Sequence, residues 1–257
     1  MYRGKRVGVV VPAYNEERYI GAVLARMPDC VDCVYVIDDC STDRTRKIAS
    51  RWVSSDGRIR LHSHARNRGV GAAIVSGYRR CLADGMDMAV VMAGDNQMDP
   101  HLLPAVMDPV VDGRAGYCKG TRMVVRGHHR GMSRWRVIGN FLLRWLTAIA
   151  IGTTAITDPQ NGYTAMSRQT LEKLDLSAVY PNYGYCNDLI TRLVILDVPM
   201  IEIPAPLIVN AGQTSSIRYC HYIPRVALLL VRCLLLRLRT SLQVSAIHGS
   251  SADEAES

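Results

Sequence analysis

Phenylalanine is almost missing from this chain, which has one such residue among 257 although hydrophobic residues make up 48% of the sequence. That much apolar material is ample for a core. With a single phenylalanine, the core has to be mostly aliphatic, and tyrosine and methionine fill the remaining space. The length suits one large domain, or a domain with an appendage.

The sequence also lacks a cysteine pattern that would hold zinc. Cys30 and Cys33 are the only closely spaced pair among eight cysteines, and no second pair or histidine follows at the spacing of a zinc site. We interpret the cysteines as reduced thiols of a cytosolic protein, with disulfide bonds as the alternative.

Long apolar runs are missing as well. No stretch reaches the roughly 20 apolar residues that span a bilayer. The nearest candidate, Ile223 to Leu238, is interrupted by Arg225, Arg232 and Arg237. The first residues lead into an apolar strand and show no signal-peptide core, so we expect neither a membrane span nor a leader.

The sequence shows no recognition helix and no aromatic stacking motif, which argues against a nucleic-acid partner. Its net charge is nevertheless +8, and the basic excess is concentrated in residues 114–144 and 218–239. Such local basic density favours phosphate-bearing ligands or an anionic membrane surface.

Strand and helix patterns alternate along the chain. Strands are predicted at 6–11, 31–37, 59–62, 88–92, 117–120 and 200–203, and residues 158–166 are predicted to be a loop followed by a strand. Helices are predicted at 16–27, 42–52, 67–84, 102–111, 137–151, 187–196 and 223–242. Ser41 or Thr42 is expected to cap the second helix. This rhythm predicts an α/β fold with a mostly parallel sheet flanked by helices. We divide the chain into a domain (1–220), a basic apolar helix (221–244) and a disordered acidic tail (245–257).

Acidic turns follow three of the predicted strands and contain Glu16, Asp39 and Asp95. The carboxyl ends of parallel strands form the ligand-binding edge of such a sheet. Asp95 and Gln97 lie two residues apart just past a buried strand, so they can face the same way and share one divalent cation. A cation at this position could hold a diphosphate.

Six segments, in this order, resemble the family 2 glycosyltransferases of the GT-A fold. They are VVPAYNEE (10–17), IDDCSTD (37–43), NRGVGAA (67–73), AGDNQMDP (93–100), GTR (120–122) and DPQNGY (158–163). The resemblance covers about residues 5–220. It is strongest to the dolichol-phosphate mannose synthase branch, whose members load a sugar from a nucleotide onto a polyprenyl phosphate.

The resemblance implies a role for each matching residue. The positions that hold the nucleoside are Pro12, Tyr14, Glu16, Ile37 and Asp39. Gly94 falls beside the diphosphate, and Asp95 and Gln97 fall on the ligands of Mg²⁺ or Mn²⁺. Arg122 and Arg136 match arginines that face phosphate oxygens, which a guanidinium can bind bidentately.

The chain departs from the family pattern at three places. Ala93 replaces the first aspartate of the usual Asp-x-Asp motif, so a metal has to rely on Asp95, Gln97, water and the diphosphate. Asn187 stands where an acidic residue is usual, which leaves Asp188 as the local carboxylate. The late basic loop is reduced to residues 210–216, and Arg218 is a candidate for the missing charge.

The implied reaction is a direct displacement with inversion, in which positioning and charge stabilisation do most of the work. A lipid phosphate acceptor is already anionic and needs no strong base, whereas a sugar hydroxyl requires one, with Asp158 and Asp188 as candidates. Five of the candidate site residues also have a purely structural interpretation. Asp95 and Asp158 could be turn residues, Asp39 a helix cap, and Arg122 and Arg136 surface charges.

The favoured function is transfer from a UDP- or GDP-sugar to a polyprenyl phosphate by a peripheral enzyme on the inner face of the cell membrane. Its helix 221–244 would lie in the membrane interface, with packing on the protein's own core as the alternative. A homo-oligomer or a membrane partner protein stays open. The other functions considered are transfer to a glycan or glycolipid hydroxyl, a nucleotidyltransferase, and a non-catalytic sugar-nucleotide sensor.

Overall fold

The computed structural model describes residues 1–122, 145–206, 208 and 224–240. Arg136, the basic loop 210–216, Arg218 and the acidic tail lie outside the described residues, as does most of the predicted helix 137–151.

Seven strands form one mixed sheet in the order β3-β2-β1-β4-β6-β5-β7. The strands are β1 (Val7–Ala13), β2 (Cys33–Asp38), β3 (Ile59–Ser63), β4 (Met88–Val91), β5 (Tyr117–Thr121), β6 (Thr164–Ser167) and β7 (Met200–Pro204). The first four strands pair in parallel, β6 runs antiparallel to β4 and β5, and β7 pairs in parallel with β5. The predicted mostly parallel sheet is thereby confirmed.

Helices cover both faces of this sheet. They are α1 (Ile20–Ala25), α2 (Thr45–Ser55), α3 (Val70–Ala83), α4 (Leu103–Val111), α5 (residues 145–151), α6 (Arg168–Lys173), α7 (Tyr185–Ile195) and α8 (residues 224–240). A short 3₁₀ helix, Pro100–Leu102, precedes α4. None of the helices in the described part of the chain is both long enough and apolar enough to cross a membrane.

The central strands form where the sequence is apolar without interruption. All seven residues of β1 and all six of β2 are buried. Continuous burial is typical of parallel strands covered on both faces, because helices lie above and below them. The two hydrophobic clusters of the core lie on opposite sides of this sheet and include alternate β1 residues, such as Val10 in one and Val9 in the other.

One local prediction was wrong, and one helix was not predicted. Neither Ser41 nor Thr42 caps α2, because the helix begins at Thr45 and the Asp43 carboxylate accepts the Thr45 N–H at 2.8 Å. Helix α6 was not predicted; Ser167 caps it by accepting the Thr170 N–H.

Helix α3 lies directly against β1. A Cβ on Gly77 would come 2.2 Å from Cγ1 of Val10, a buried and β-branched side chain.

We therefore expect Gly77→Ala to lower the free energy of unfolding by about 1–3 kcal/mol, despite alanine's better helix propensity. Gly57→Ala, whose Cβ meets nothing within 4 Å, is the matched control and should change it by less than about 0.5 kcal/mol. Equal urea midpoints for the two variants would contradict this packing.

Candidate functional site

A cleft of about 410 Å³ opens at the carboxyl edge of β1, β2 and β4. Its lining comes from the loops after these strands, from the start of α3 and from the loop before α7. The lining residues are Pro12, Ala13, Tyr14, Glu16, Asp39, Asn67, Gly69, Val70, Ala73, Ala93, Gly94, Asp95, Asn182 and Tyr183. The acidic turns predicted to share one edge therefore meet in one cleft.

The loops after β1 and β2 are tied to each other by hydrogen bonds. The Thr42 N–H donates to Oδ1 of Asn15 at 2.8 Å, and the N–H groups of Asn15 and Glu16 donate to hydroxyls of Ser41 and Thr45. Asn15 has a φ of 57°, a left-handed conformation that asparagine tolerates better than most residues. This cross-linking fixes the rim of the cleft before any ligand binds.

Asp39 is the most firmly held carboxylate of the cleft. It is 3% exposed, and its Oδ1 accepts the Arg68 N–H at 2.9 Å while its Oδ2 accepts the Gly69 N–H at 2.7 Å. Nδ1 of His64 lies 2.6 Å from Oδ1. The carboxylate thus binds the turn that precedes α3 rather than capping α2.

Sequence reasoning missed His64, Asn182 and Tyr183. The only available signal for His64 was its place at the carboxyl end of β3. Asn182 and Tyr183 reach the cleft because their loop crosses the start of α3, where the Ala72 N–H donates to the Pro181 carbonyl. A Cβ on Gly71 would come 2.3 Å from the Tyr180 carbonyl oxygen, which explains the glycine.

Asp95 and Gly94 line the cleft at the end of β4. Oδ1 of Asp95 accepts the Gln97 N–H at 3.1 Å, and burial raises the pKa of Asp95. A Cβ on Gly94 would meet the Pro12 carbonyl oxygen and the Ala13 side chain at 3.3 Å, so a larger residue would crowd this wall. Gln97 is half-buried but does not line the cleft.

Glu16 and Asp95 add negative charge to the same cleft. Burial, followed by the charges of Asp95 and Asp43, raises the pKa of Glu16 to about 7. Two carboxylates that resist ionisation next to each other are a site that a divalent cation would relieve. No group of three or more acidic, histidine or cysteine side chains suited to a metal occurs among the described residues. This donor set fits Mg²⁺ or Mn²⁺ held by one or two carboxylates, with other ligands from substrate phosphates and water.

Arg122 and Asp158, predicted separately, form one ion pair. Nε and a terminal nitrogen of Arg122 donate to the two Asp158 oxygens at 2.6 and 2.7 Å, and the Arg122 N–H adds a third bond. Burial raises the pKa of Asp158, but the hydrogen bonds and charge of Arg122 outweigh it and hold the pKa below its usual range. Glu202 accepts the N–H groups of Thr157 and Asp158 and so fixes this loop.

Asp188 is fully buried at the start of α7 and does not line the cleft. Its Oδ2 accepts Nε of Arg192 at 2.8 Å and the Tyr180 N–H at 3.0 Å, while Nε of Arg232 lies 3.9 Å from Oδ1. The carboxylate therefore connects α7, the loop before it and α8.

The remaining predicted nucleoside residues divide between the cleft and the core. Pro12 and Tyr14 line the cleft, and Tyr14 is 46% exposed, so its ring is accessible. Ile37 is fully buried within a hydrophobic cluster and does not line the cleft. Any role in nucleoside binding would therefore run through its neighbours.

The raised pKa of Glu16 predicts a pH-dependent stability in the absence of metal. Between its ordinary pKa of 4.5 and about 7, the folded protein keeps a proton that the unfolded chain loses, so the Glu16 contribution becomes unfavourable as pH rises. The stability of Glu16→Gln relative to the parent protein should therefore increase from pH 4.5 to 7 and then level off. Urea unfolding across this range measures it, and a pH-independent difference would contradict it.

Comparison with known proteins gives consistent matches. The sequence model described as Glycosyl transferase family 2 matches residues 8–175. The chain is similar to the polyprenol monophosphomannose synthase of Mycolicibacterium smegmatis, with 30% identity over 78% of this chain and 76% of that protein. It is also similar to the UDP-N-acetylglucosamine–dolichyl-phosphate N-acetylglucosaminyltransferase of Methanococcus voltae, with 26% identity over 76% of this chain and 85% of that protein.

A solved structure shares the fold. Glucosyl-3-phosphoglycerate synthase from Mycobacterium tuberculosis, in complex with Mn²⁺ and UDP-glucose, superposes with a TM-score of 0.66 and 25% identity. The match covers 90% of this chain and 79% of that one.

Proposed function

The chain belongs to glycosyl transferase family 2, and we propose that it moves a sugar from a nucleoside diphosphate sugar to a polyprenyl phosphate with inversion at the anomeric carbon. The predicted family and enzyme class are confirmed: the protein is a glycosyltransferase. The names of the two relatives described above both indicate a polyprenyl-type lipid acceptor, but they indicate different sugars. The sugar of this protein therefore stays open.

The observation that carries the proposal is the placement of Asp39 and Asp95 in one cleft, on loops after β2 and β4. Asp39 supplies a fixed acceptor for a base or ribose, and the Tyr14 ring lies on the same wall. Asp95, beside Gly94, lies at the end of the cleft where we expect the diphosphate to bind. A nucleotide lying along this edge would place its sugar beyond Asp95, towards the acceptor.

A divalent cation, Mg²⁺ or Mn²⁺, would be held by Asp95 and would neutralise charge on the diphosphate that leaves. Gln97 is the second predicted ligand, and its backbone is fixed by the Ile208 N–H, which donates to the Gln97 carbonyl. Arg136, predicted to face phosphate oxygens, lies outside the described residues.

Both candidate general bases are already paired with arginines, which bears on the nature of the acceptor. Asp158 is bound bidentately by Arg122 and has a lowered pKa, which makes it a poor proton acceptor. Asp188 is fully buried and paired with Arg192. A polyprenyl phosphate brings its own anionic oxygen and needs neither carboxylate.

The decisive test is transfer from radiolabelled UDP- and GDP-sugars to purified polyprenyl phosphate, followed by organic extraction. Label is expected in the lipid phase with one of the donors. Asp95→Asn should lower the rate about 100-fold or more, since it removes charge that supports the leaving group. The control is Asp108→Asn, whose carboxylate binds Tyr2 and Arg3 outside the cleft and whose loss should leave the rate within about twofold. No extractable product with any donor would overturn the proposal.

One observation favours the second candidate, transfer to a sugar hydroxyl. Glu16 lines the cleft with a pKa near 7, which suits a general base at neutral pH. In that case label would be transferred only when a glycan or glycolipid replaces polyprenyl phosphate as the acceptor, and Glu16→Gln would abolish that transfer.

We further propose that the enzyme works peripherally at the inner face of the cell membrane, through the predicted segment 221–244. One face of α8 packs on the protein through Val226, Leu229, Leu230 and Cys233. The opposite face exposes Leu228, Val231, Leu235 and Leu238, at spacings of three and four residues. Arg225 and Arg239 are exposed on the same helix, a combination suited to anionic lipid.

Helix α5 extends this apolar surface. Trp145, Leu146 and Ile149 are about half exposed or more. Arg237 of α8 donates to the Ile149 carbonyl at 2.7 Å, which holds the two helices together. An exposed surface of this composition marks an interaction site rather than ordinary solvent-facing residues.

The double variant Leu228→Glu/Leu235→Glu is expected to bind anionic phosphatidylglycerol vesicles at least about tenfold more weakly, because each leucine contributes roughly 2 kcal/mol of apolar burial. Vesicle co-sedimentation measures this. Val53→Glu, at an exposed valine of α2, is the control and should bind like the parent protein. Unchanged binding of the double variant would place the membrane contact elsewhere.

A further inference from the structure

The carboxylate of Asp39 is nearly saturated before any ligand binds. Its Oδ1 accepts two hydrogen bonds, from the Arg68 N–H and from His64, and its Oδ2 accepts one, from the Gly69 N–H. A carboxylate has about four acceptor positions, two on each oxygen. Within the described parts of the chain, one position therefore remains, and it is on Oδ2.

His64 is itself fixed from both sides. An ionised carboxylate only accepts hydrogen bonds, so Nδ1 of His64 carries the proton that binds Asp39. Nε2 lies 2.9 Å from the Ser76 hydroxyl on α3, and the side chain is 10% exposed. The imidazole thus links the end of β3 and α3 to the carboxylate in the cleft.

We propose that His64 is a positioning residue for the nucleobase of the donor. By occupying Oδ1, it turns Asp39 into a carboxylate with a single open acceptor, on Oδ2. This inference rests on the proposed function, because it assumes that a nucleoside diphosphate sugar occupies the cleft.

A single acceptor suits one kind of base better than another. The edge of uracil offers one N–H donor, whereas guanine offers two adjacent donors that pair with both oxygens of a carboxylate. With Oδ1 already filled, guanine would leave a buried donor unsatisfied, which costs affinity. The geometry therefore points to a uridine nucleotide as the donor.

The test compares two amide substitutions at one position. In His64→Asn the amide nitrogen can take the place of Nδ1 and still donate to Asp39, whereas in His64→Gln the amide reaches the position of Nε2, towards Ser76. His64→Gln should weaken UDP binding about tenfold in calorimetric titration with Mn²⁺, and His64→Asn by less than about threefold. The donor KM should rise accordingly in His64→Gln, with kcat within about threefold, because the base is remote from the reacting bond.

Ser76→Ala removes the other hydrogen bond of His64 and keeps the one to Asp39. It should bind UDP within about threefold of the parent protein, which keeps the test open if His64→Gln does not fold. Equal UDP affinities for His64→Asn and His64→Gln, or a Ser76→Ala loss as large as that of His64→Gln, would show that His64 only supports α3.

The preference for uracil over guanine is tested by nucleotide binding to the parent protein. UDP should bind about tenfold or more tightly than GDP, and equal or tighter GDP binding would overturn the inference. Failure here is distinct from failure of the proposed function: loss of both nucleotides would reject the donor site, whereas UDP binding without lipid-linked product would reject only the acceptor.

Discussion

The parallel pairing of β1 with β2 on one side and with β4 on the other is the constraint on which the site depends. In this register Ala13 lies opposite Asp38, and Val10 lies opposite Val91. β1 and β2 therefore end at the same level, while β4 ends three residues earlier, opposite Val10. The loop after β4 continues alongside β1, since the Gly94 N–H donates to the Pro12 carbonyl, so the residues that follow all three strands face one cleft.

Burying ionised carboxylates at the edge of the sheet costs solvation free energy, and the acidic residues there differ in how far this cost is offset. Asp39 and Asp158 are held by backbone N–H groups together with a histidine or an arginine. At Glu16 and Asp95 burial is the largest influence and raises the pKa of each carboxyl group. Asp39 fixes one side of the cleft, whereas Asp158 fixes the loop that pairs with Arg122; Glu16 and Asp95 mark the place where a positive charge would be most strongly attracted.

The sequence allowed the sheet, the acidic edge and Asp95 to be predicted, because strand runs and the turns after them are local features. Contacts that join distant segments could not be predicted. Arg122 and Asp158 were expected to act separately, yet they bind each other across 36 positions of the chain. His64, Asn182 and Tyr183 reach the cleft only through the packing of β3, α3 and the loop before α7. The start of α2 was predicted too early, since the helix begins at Thr45, whose N–H binds the Asp43 carboxylate and not Ser41 or Thr42.

We propose that one cleft holds the base of a nucleotide at Asp39 and its metal-bound diphosphate at Asp95. A crystal structure of the protein with UDP and Mn²⁺, with the metal located by anomalous scattering, tests this most directly. We expect a manganese peak in contact with the Asp95 carboxylate and the base against Asp39. A manganese peak bound away from Asp95, or a nucleotide outside this cleft, would contradict it.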